Sequence, residues 1–408
     1  MQYDVIRSTL ETYHQMHLLK YYEELDHQEK EHLLHQISMI DFKSLNSILS
    51  KKDNPTRGKL SPINTLTAEK IEIHKSTYDQ IGIDAIKQGK VGAVILAGGQ
   101  GTRLGFDKPK GTLNVGLTKN LYLFQIHVQN LLEIVKLTDS WVPLFIMTSE
   151  KNNKDTIEFM TENNYFGYNK EYITFFKQEM TPSVDYCGKI YMESKSTLSM
   201  SPNGNGGWFS SLVKTINLMD IKSAGIQWFN VFSVDNALQK IADPCFIGAT
   251  IDSMCVSAAK VVRKAAPEEK VGTLCMEDGK PSIIEYYDMT VEMLNARNAD
   301  SELLYNYGVI LNYLFKIEEL EAITKSPLPI HIVEKKIPYL DEQGNYIKPE
   351  AANGYKFETL VLDMIHEMTD CLSYEVIRNK EFAPIKNRTG IDSLESARKL
   401  LMENGMHL

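Results

Sequence analysis

Residues 91–96 read Val-Gly-Ala-Val-Ile-Leu, a run with no polar side chain in it. A strand built from such a run offers no face to water, so both of its faces need cover. Similar runs recur as VPLFIMTS, ITFFK, IQWFNVFSV and CVSAAKVV, and segments of helical period such as NLYLFQIHVQNLLEIV separate the earlier ones. That alternation predicts an α/β fold with a mostly parallel sheet.

With 408 residues, 43% of them hydrophobic, the chain can bury one large core with smaller additions. Three parts are expected: a helical segment and linker over 1–87, a core over 88–330, and a small C-terminal lobe over 331–408. In the first part Asp26 and Glu29 form a capping box ahead of Leu33, Leu34, Ile37 and Ile40 at helical spacing. His14, His17, His27, His32 and His35 crowd the same region, where a polar helix face is expected rather than a metal site. Residues 51–68 carry two prolines and read as a surface linker.

A net charge of −9 argues against general attraction to nucleic acid or to an anionic membrane. No apolar run reaches membrane-spanning length, and the opening MQYDVIRSTLETYHQ lacks a signal-peptide core. Cys187, Cys245, Cys255, Cys275 and Cys371 are scattered and never form a CxxC pair, so reduced thiols in a cytoplasmic protein are expected.

In an open α/β sheet, ligands bind beyond the carboxyl ends of the strands. AGGQGTRLGFDKPKG follows Leu96 directly. The GxxxxGK[ST] pattern fails because Gly111 follows Lys110, and GxGxxG fails because Gly99, Gly101 and Gly105 are spaced GxGxxxG. What remains is a glycine loop whose amides can approach an anion, with Arg103 as a planar fork and Lys110 as a point charge. A nucleoside triphosphate or pyrophosphate suits it better than a dinucleotide; a tight turn with solvated cations is the alternative. Asp235, at the end of WFNVFSV, is a hard carboxylate suited to Mg²⁺, or else the cap of a helix starting near Ala237. By itself SPNGNGG at 201–207 is a flexible turn before a helix at Trp208.

Residues 96–111 resemble the LxxGxGTRLxxxxPKG signature of nucleotidylyltransferases that act on sugar phosphates. The resemblance continues through FFKQEM at 175–180, SPNGNGGWFSSL at 201–212, VDN around 235, ADPCFIGATI at 242–251, AAKVVRK at 258–264, EKKIPYLDEQGNYIKPEAANGYKFE at 334–358 and FAPIKN at 382–387. Together, over roughly residues 20–400, these stretches are similar to the eukaryotic-type UDP-N-acetylglucosamine pyrophosphorylase family of UTP–hexose-1-phosphate uridylyltransferases. The resemblance implies a Rossmann-like, GT-A-like mixed-sheet core with an N-terminal helical segment and a small C-terminal lobe. It implies that UTP and N-acetylglucosamine 1-phosphate give UDP-N-acetylglucosamine and pyrophosphate, with no nucleic-acid or membrane partner.

Family positions carry over residue by residue. Leu96, Ala97, Gly98 and Gly99 would line the nucleotide, while Arg103 and Lys110 would hold the β and γ phosphates. Gln178 and Gly204 would meet the uracil, whose edge an amide can match with both donor and acceptor. Asn205 would meet the N-acetyl group and Glu285 the sugar. Asp235 would hold Mg²⁺, with Mn²⁺ as a substitute, and Lys356 and Lys386 would approach the substrate phosphates. One departure stands out: the family's FNAGNI reads YNYGVI at 305–310, so Val309 replaces an asparagine and Asn306 becomes the candidate sugar contact. N-acetylgalactosamine 1-phosphate or glucose 1-phosphate is therefore the alternative substrate. The sequence ends at Leu408, soon after Lys386, so a shortened C-terminal lobe and a monomer or weak oligomer are expected. A UDP-sugar glycosyltransferase would normally show a DxD pair, which is absent around Asp235. A non-catalytic nucleotide-sugar sensor would be free to lose Lys110 or Asp235, and both are present.

Overall fold

The computed structural model describes residues 2–50, 57–325 and 328–408, and in it the run Val91–Leu96 is an interior strand of an eleven-stranded sheet. In chain order the strands are β1 (Leu60–Pro62), β2 (Thr65–Leu66), β3 (Val91–Leu96), β4 (Leu144–Thr148), β5 (Ile173–Lys177), β6 (Trp228–Ser233), β7 (Ser257–Arg263), β8 (Thr273–Glu277), β9 (Lys280–Ile284), β10 (Tyr307–Lys316) and β11 (Leu372–Glu375). Across the sheet the order is β2-β11-β7-β10-β6-β3-β4-β5, with β8 joining β1, β9 and β10 at the side. Strands β6, β3, β4 and β5 run parallel to one another. So do β7, β11 and β2. Only β10 runs against both of its main-path neighbours, β6 and β7.

Every residue of β3, β4 and β6 is buried, which is what their unbroken apolar runs require. The helices that supply cover include α1 (Ala68–Lys87), α2 (Leu123–Thr138), α3 (Trp208–Thr215), α4 (Pro244–Asp252) and α5 (Leu394–Glu403). Phe124, Val128 and Leu131 of α2 share one core with Ile95, Ile146 and Phe232 of the sheet. Ala397 and Leu401 of α5 share a second core with Leu113, Val115 and Leu123.

Two compact units make up the chain. The larger spans Arg57–Gln178, Trp208–Pro327 and Val361–Leu408 and contains the sheet; the smaller spans Met1–Thr56, Glu179–Gly207 and Leu328–Leu360. In the smaller unit the Asp26–Glu29 capping box forms at the start of helix His27–Ser38, with amide contacts of 2.9 and 3.1 Å. Leu33, Leu34 and Ile37 of that helix are buried with Leu10, Leu18, Val184, Ile190 and Phe357. His17 departs from the polar-face expectation: its Nε2–H donates to the Ile190 carbonyl at 2.8 Å, and burial pushes its pKa down. Residues 51–56 of the expected linker lie outside the described residues. The rest of it is structured, since β1 pairs with β8 and β2 with β11 before α1 begins at Ala68. Pro62 is tolerated because a three-residue strand at the edge has little ladder to lose. Among the described residues, no helix is long and apolar enough to cross a membrane.

Candidate active site

The loop after β3 closes on itself. Ala97 N–H still bonds to Met147 O of β4 at 2.9 Å, and then the chain leaves the sheet. Lys110 N–H returns to Gly99 O and Gly101 N–H reaches Lys108 O, both at 3.1 Å. Inside this ring a methyl group on Gly101 would lie 2.7 Å from the Phe106 ring and 2.7 Å from the Phe106 carbonyl. Gly105 takes the left-handed conformation, with φ at +72°. Glycine is thus demanded by crowding at one position and by backbone angle at the other.

This loop walls a cavity of about 370 Å³ lined by Gly99, Gln100, Gly101, Thr102, Arg103, Leu104, Lys110, Asp235 and Lys386. Asp235 follows β6, the parallel neighbour of β3, so sheet order alone brings it beside the loop. Its carboxylate bonds to the Ser233 hydroxyl on one oxygen and to Lys110 Nζ, at 2.9 Å, on the other. Burial by itself would raise the Asp235 pKa. The charges of Lys110 and then Lys386, with the Ser233 hydrogen bond, outweigh it and hold the carboxyl below its usual range. The helix-cap alternative does not hold: the next helix is α4, and its cap is Asp243, which accepts from Cys245 N–H at 3.1 Å.

Lys386 arrives from far along the chain. Ile385 N–H bonds to Asp235 O at 2.9 Å, and Ala237 N–H bonds to Ala383 O at 3.2 Å. Between them Asn236, 1% exposed, accepts from Ala383 N–H at 2.7 Å and donates to Glu381 O at 2.8 Å. Glu381 is itself anchored by Lys260, whose fully buried Nζ lies 2.7 Å from both Glu381 Oε2 and Asp243 Oδ2. Burial opposes the Lys260 charge, but the two carboxylates outweigh it and raise its pKa. Asn236 and Lys260 stood inside recognised motifs, yet nothing in the sequence marked them as the supports of Lys386.

Gln178 continues the β5 pairing through its N–H to Thr148 O at 2.8 Å, and its side chain is buried. A methyl group on Gly98 would lie 2.9 Å from Gln178 Oε1, so the two residues approach as closely as a missing Cβ permits. Asn152, fully buried, fixes the same backbone: it donates to Ala97 O at 2.9 Å and accepts from Ser149 N–H at 2.7 Å. Sequence reasoning missed Asn152; its only signal is a pair of asparagines soon after the strand-end VPLFIMTS. Leu96, Ala97, Gly98, Gly99, Arg103, Lys110, Gln178, Asp235 and Lys386 are therefore gathered in one region of the larger unit.

Glu285 and Val309 meet over Gly272. A methyl group there would lie 3.4 Å from Val309 Cγ2 and 3.8 Å from Glu285 Oε1. Asn306 accepts Lys264 N–H on its carbonyl at 2.8 Å, and its side-chain amide is engaged by no described residue. Lys264, 8% exposed, has no carboxylate at ion-pair distance among the described residues, and burial pushes its pKa down.

Gly204, Asn205 and Lys356 belong to the smaller unit. The stretch around Gly204 is not a loose turn. Asn203 N–H bonds to Glu179 O at 3.0 Å, Thr359 N–H to Asn203 O at 2.7 Å, and Gly206 N–H to Thr359 O at 2.9 Å. Gly204 has φ at +88°, and a methyl group on it would stand 2.1 Å from Thr359 O. Lys356 sits in the strand Gly354–Glu358, which leads directly into Thr359.

Main-chain amides, an arginine that pairs with no described residue, and two lysines beside the ionised Asp235 suit the handling of phosphates. Placed after the central strands of a mixed Rossmann-like sheet, that arrangement defines a nucleotidyltransferase. More narrowly, the chain belongs to the UTP–glucose-1-phosphate uridylyltransferase family, whose model matches residues 20–405. It is 34% identical to the UDP-N-acetylglucosamine pyrophosphorylase of Saccharomyces cerevisiae, over 96% of this chain and 88% of that protein. It is 33% identical to the human UDP-N-acetylhexosamine pyrophosphorylase-like protein 1, over 97% of this chain and 83% of the relative. The crystal structure of the uridine diphosphate N-acetylglucosamine pyrophosphorylase from Trypanosoma brucei, in complex with inhibitor, superposes with a TM-score of 0.85 at 27% identity, covering 99% of this chain and 85% of that one.

Proposed function

We propose that the chain is a UTP:N-acetyl-α-D-glucosamine-1-phosphate uridylyltransferase. It transfers uridylyl reversibly from UTP to the sugar phosphate, giving UDP-N-acetylglucosamine and pyrophosphate. The observation that carries this reading is the convergence of Arg103, Lys110, Asp235 and Lys386 on one cavity beside a Gly98–Gln178 contact fit for a uracil edge.

A phosphate oxygen of the sugar phosphate attacks the α-phosphorus of UTP in line, and the bond to the β-phosphate bridging oxygen breaks. No covalent enzyme intermediate forms, so the protein positions groups and neutralises charge. Arg103 and Lys110 take up the negative charge that grows on the leaving pyrophosphate, Lys386 steers the incoming phosphate, and Lys356 braces the α-phosphate. Leu96, Ala97, Gly98 and Gly99 line the nucleotide with backbone. Gln178 and Gly204 read uracil; Asn205, Glu285 and Asn306 read the sugar. Residues 88–330 thus supply most of these groups, and residues 331–408 add the two lysines.

Asp235 fits a divalent cation: it is ionised, oxygen-bearing and next to the phosphate loop. Mg²⁺ usually takes one or two protein carboxylates and completes its shell with water and substrate phosphates. Such an ion, or Mn²⁺ in its place, would neutralise charge at the α-phosphate. A cytoplasmic setting is supported by five free cysteines.

Val309 beside Glu285 favours a second reading, in which N-acetylgalactosamine 1-phosphate or glucose 1-phosphate is used as well or better. Pyrophosphate release from UTP, measured with a panel of sugar 1-phosphates, tests both. Release with N-acetylglucosamine 1-phosphate supports the first; no release with any of the panel sinks the enzyme reading altogether.

A further inference from the structure

Arg388 follows Lys386 by two residues, and no role falls to it in the scheme above. The loop that carries it is pinned: Lys386 N–H and Asn387 N–H both bond to Asp392 O, at 2.6 and 2.9 Å, and Asn387 Nδ2 donates to Ile391 O at 2.8 Å. The guanidinium lies beside the glycine loop: a methyl group on Gly105 would stand 4.0 Å from Arg388 Cζ. A surface arginine is ordinarily held by a carboxylate or left to solvent. Here it makes no hydrogen bond or ion pair with any described residue, yet it lies on an anion-binding loop.

Asp235, Lys386, Lys110 and Arg103 all line the cavity. Arg388 is not part of that lining but lies beside Gly105, which belongs to the same loop as the lining residues Gly99–Leu104. We infer that Arg388 is a further phosphate-binding residue, closing the rim over the terminal phosphate of UTP and over product pyrophosphate. A planar fork can grip two oxygens of one phosphate in a fixed bidentate geometry, which a lysine's rotatable ammonium does not offer. This inference rests on the uridylyltransferase reading for the name of its ligand, but not for its test.

The experiment is calorimetric titration of inorganic pyrophosphate and of UMP into the full chain and into Arg388→Ala and Arg388→Lys. Arg388→Ala should bind pyrophosphate about ten-fold more weakly, with Arg388→Lys between the two. UMP, which carries only the α-phosphate, should bind all three alike, and their thermal midpoints should coincide. An unchanged pyrophosphate affinity in Arg388→Ala overturns the inference, and so does an equal loss for UMP, which would mean general damage to the loop. Pyrophosphate binding that depends on Arg388, in a chain that turns over no sugar phosphate, would leave this inference standing while the proposed reaction fell.

Discussion

Lys110 Nζ stands 2.9 Å from Asp235 Oδ2, so the cation assigned to the leaving group is paired with the carboxylate assigned to the metal. The lysine helps to keep the carboxylate ionised before substrate arrives. Binding a nucleotide and a divalent ion would replace one ion pair with two, Lys110 to phosphate and Asp235 to metal.

Lys110→Ala should lower kcat by about 10² or more, because charge grows on pyrophosphate as it leaves. Steady-state kinetics in both directions measure it. A kcat equal to that of the unmodified chain removes Lys110 from the mechanism.

Asp235→Asn keeps the side chain's size and removes its charge. Activity should fall severely and return in part as Mg²⁺ is raised or Mn²⁺ supplied, since the lost contact weakens metal affinity first. Activity titrated against metal concentration is the readout. An unshifted metal dependence would mean that Asp235 serves only to hold Lys110.

Gly98→Ala should act through Gln178. Its new methyl group would stand 2.9 Å from Gln178 Oε1 and 3.6 Å from Ser149 N, so the glutamine must give way while the backbone need not. We expect the KM for UTP to rise about ten-fold and the preference for UTP over CTP to shrink, as one oriented hydrogen bond is lost. Unaltered discrimination between UTP and CTP would dissociate Gln178 from base reading.

The Val309 side chain offers no hydrogen bond at a position where the family resemblance implies an asparagine. One missing contact should weaken discrimination by roughly 1–3 kcal/mol. N-acetylglucosamine and N-acetylgalactosamine 1-phosphates should both be used, with a narrow gap that Val309→Asn changes. Glucose 1-phosphate, lacking the acetamide, should remain poor. Comparing kcat/KM for the three decides it, and a best rate with glucose 1-phosphate would falsify the N-acetylhexosamine assignment.

His127 predicts a pH effect on stability. Its ring is buried in α2, Nε2–H donates to Val234 O at 2.9 Å, and Nδ1 has no partner among the described residues. Burial pushes its pKa from 6.5 to about 4, against the upward pull of the Val234 bond and Asp235. The folded value lies below the unfolded one, so the unfolded chain takes the proton first as pH falls. Stability contributed by the neutral ring is complete above 6.5 and is lost on acidification through the window down to about 4. Between about pH 7 and 5 the loss should reach about 2 kcal/mol. Urea midpoints for the unmodified chain and His127→Gln, which keeps the donor, should diverge over that range. Parallel pH profiles would exclude His127 as the titrating group.

Strands such as Val91–Leu96 were legible because complete burial leaves no room for polar alternation, and the phosphate loop was legible because anion binding needs amides and cations close together in sequence. Asn152, Asn236 and Lys260 were not legible as supports. Their partners lie at Ala97, Glu381 and Asp243, positions that only sheet order brings near. Asparagine in a loop and lysine in an apolar strand have many uses, and pairing across such separations leaves no periodic trace. The edge strands Leu60–Pro62 and Thr65–Leu66 were hidden for a different reason: two or three residues are too few to show a period.

The hydrogen bonds from Asn236 to Ala383 and Glu381 also order events in time. A ribosome releases the glycine loop, Gln178 and Asp235 well before it releases Lys386. Domains tend to fold as they emerge, amino end first. Until residues 381–387 emerge, Asn236 lacks the two backbone groups it bonds and Lys260 lacks Glu381. A sheet that formed before then would hold a buried ammonium short of one counter-charge and a phosphate cavity short of one wall. Completion of the site therefore waits for residues 381–387, which are synthesised long after the glycine loop and Asp235.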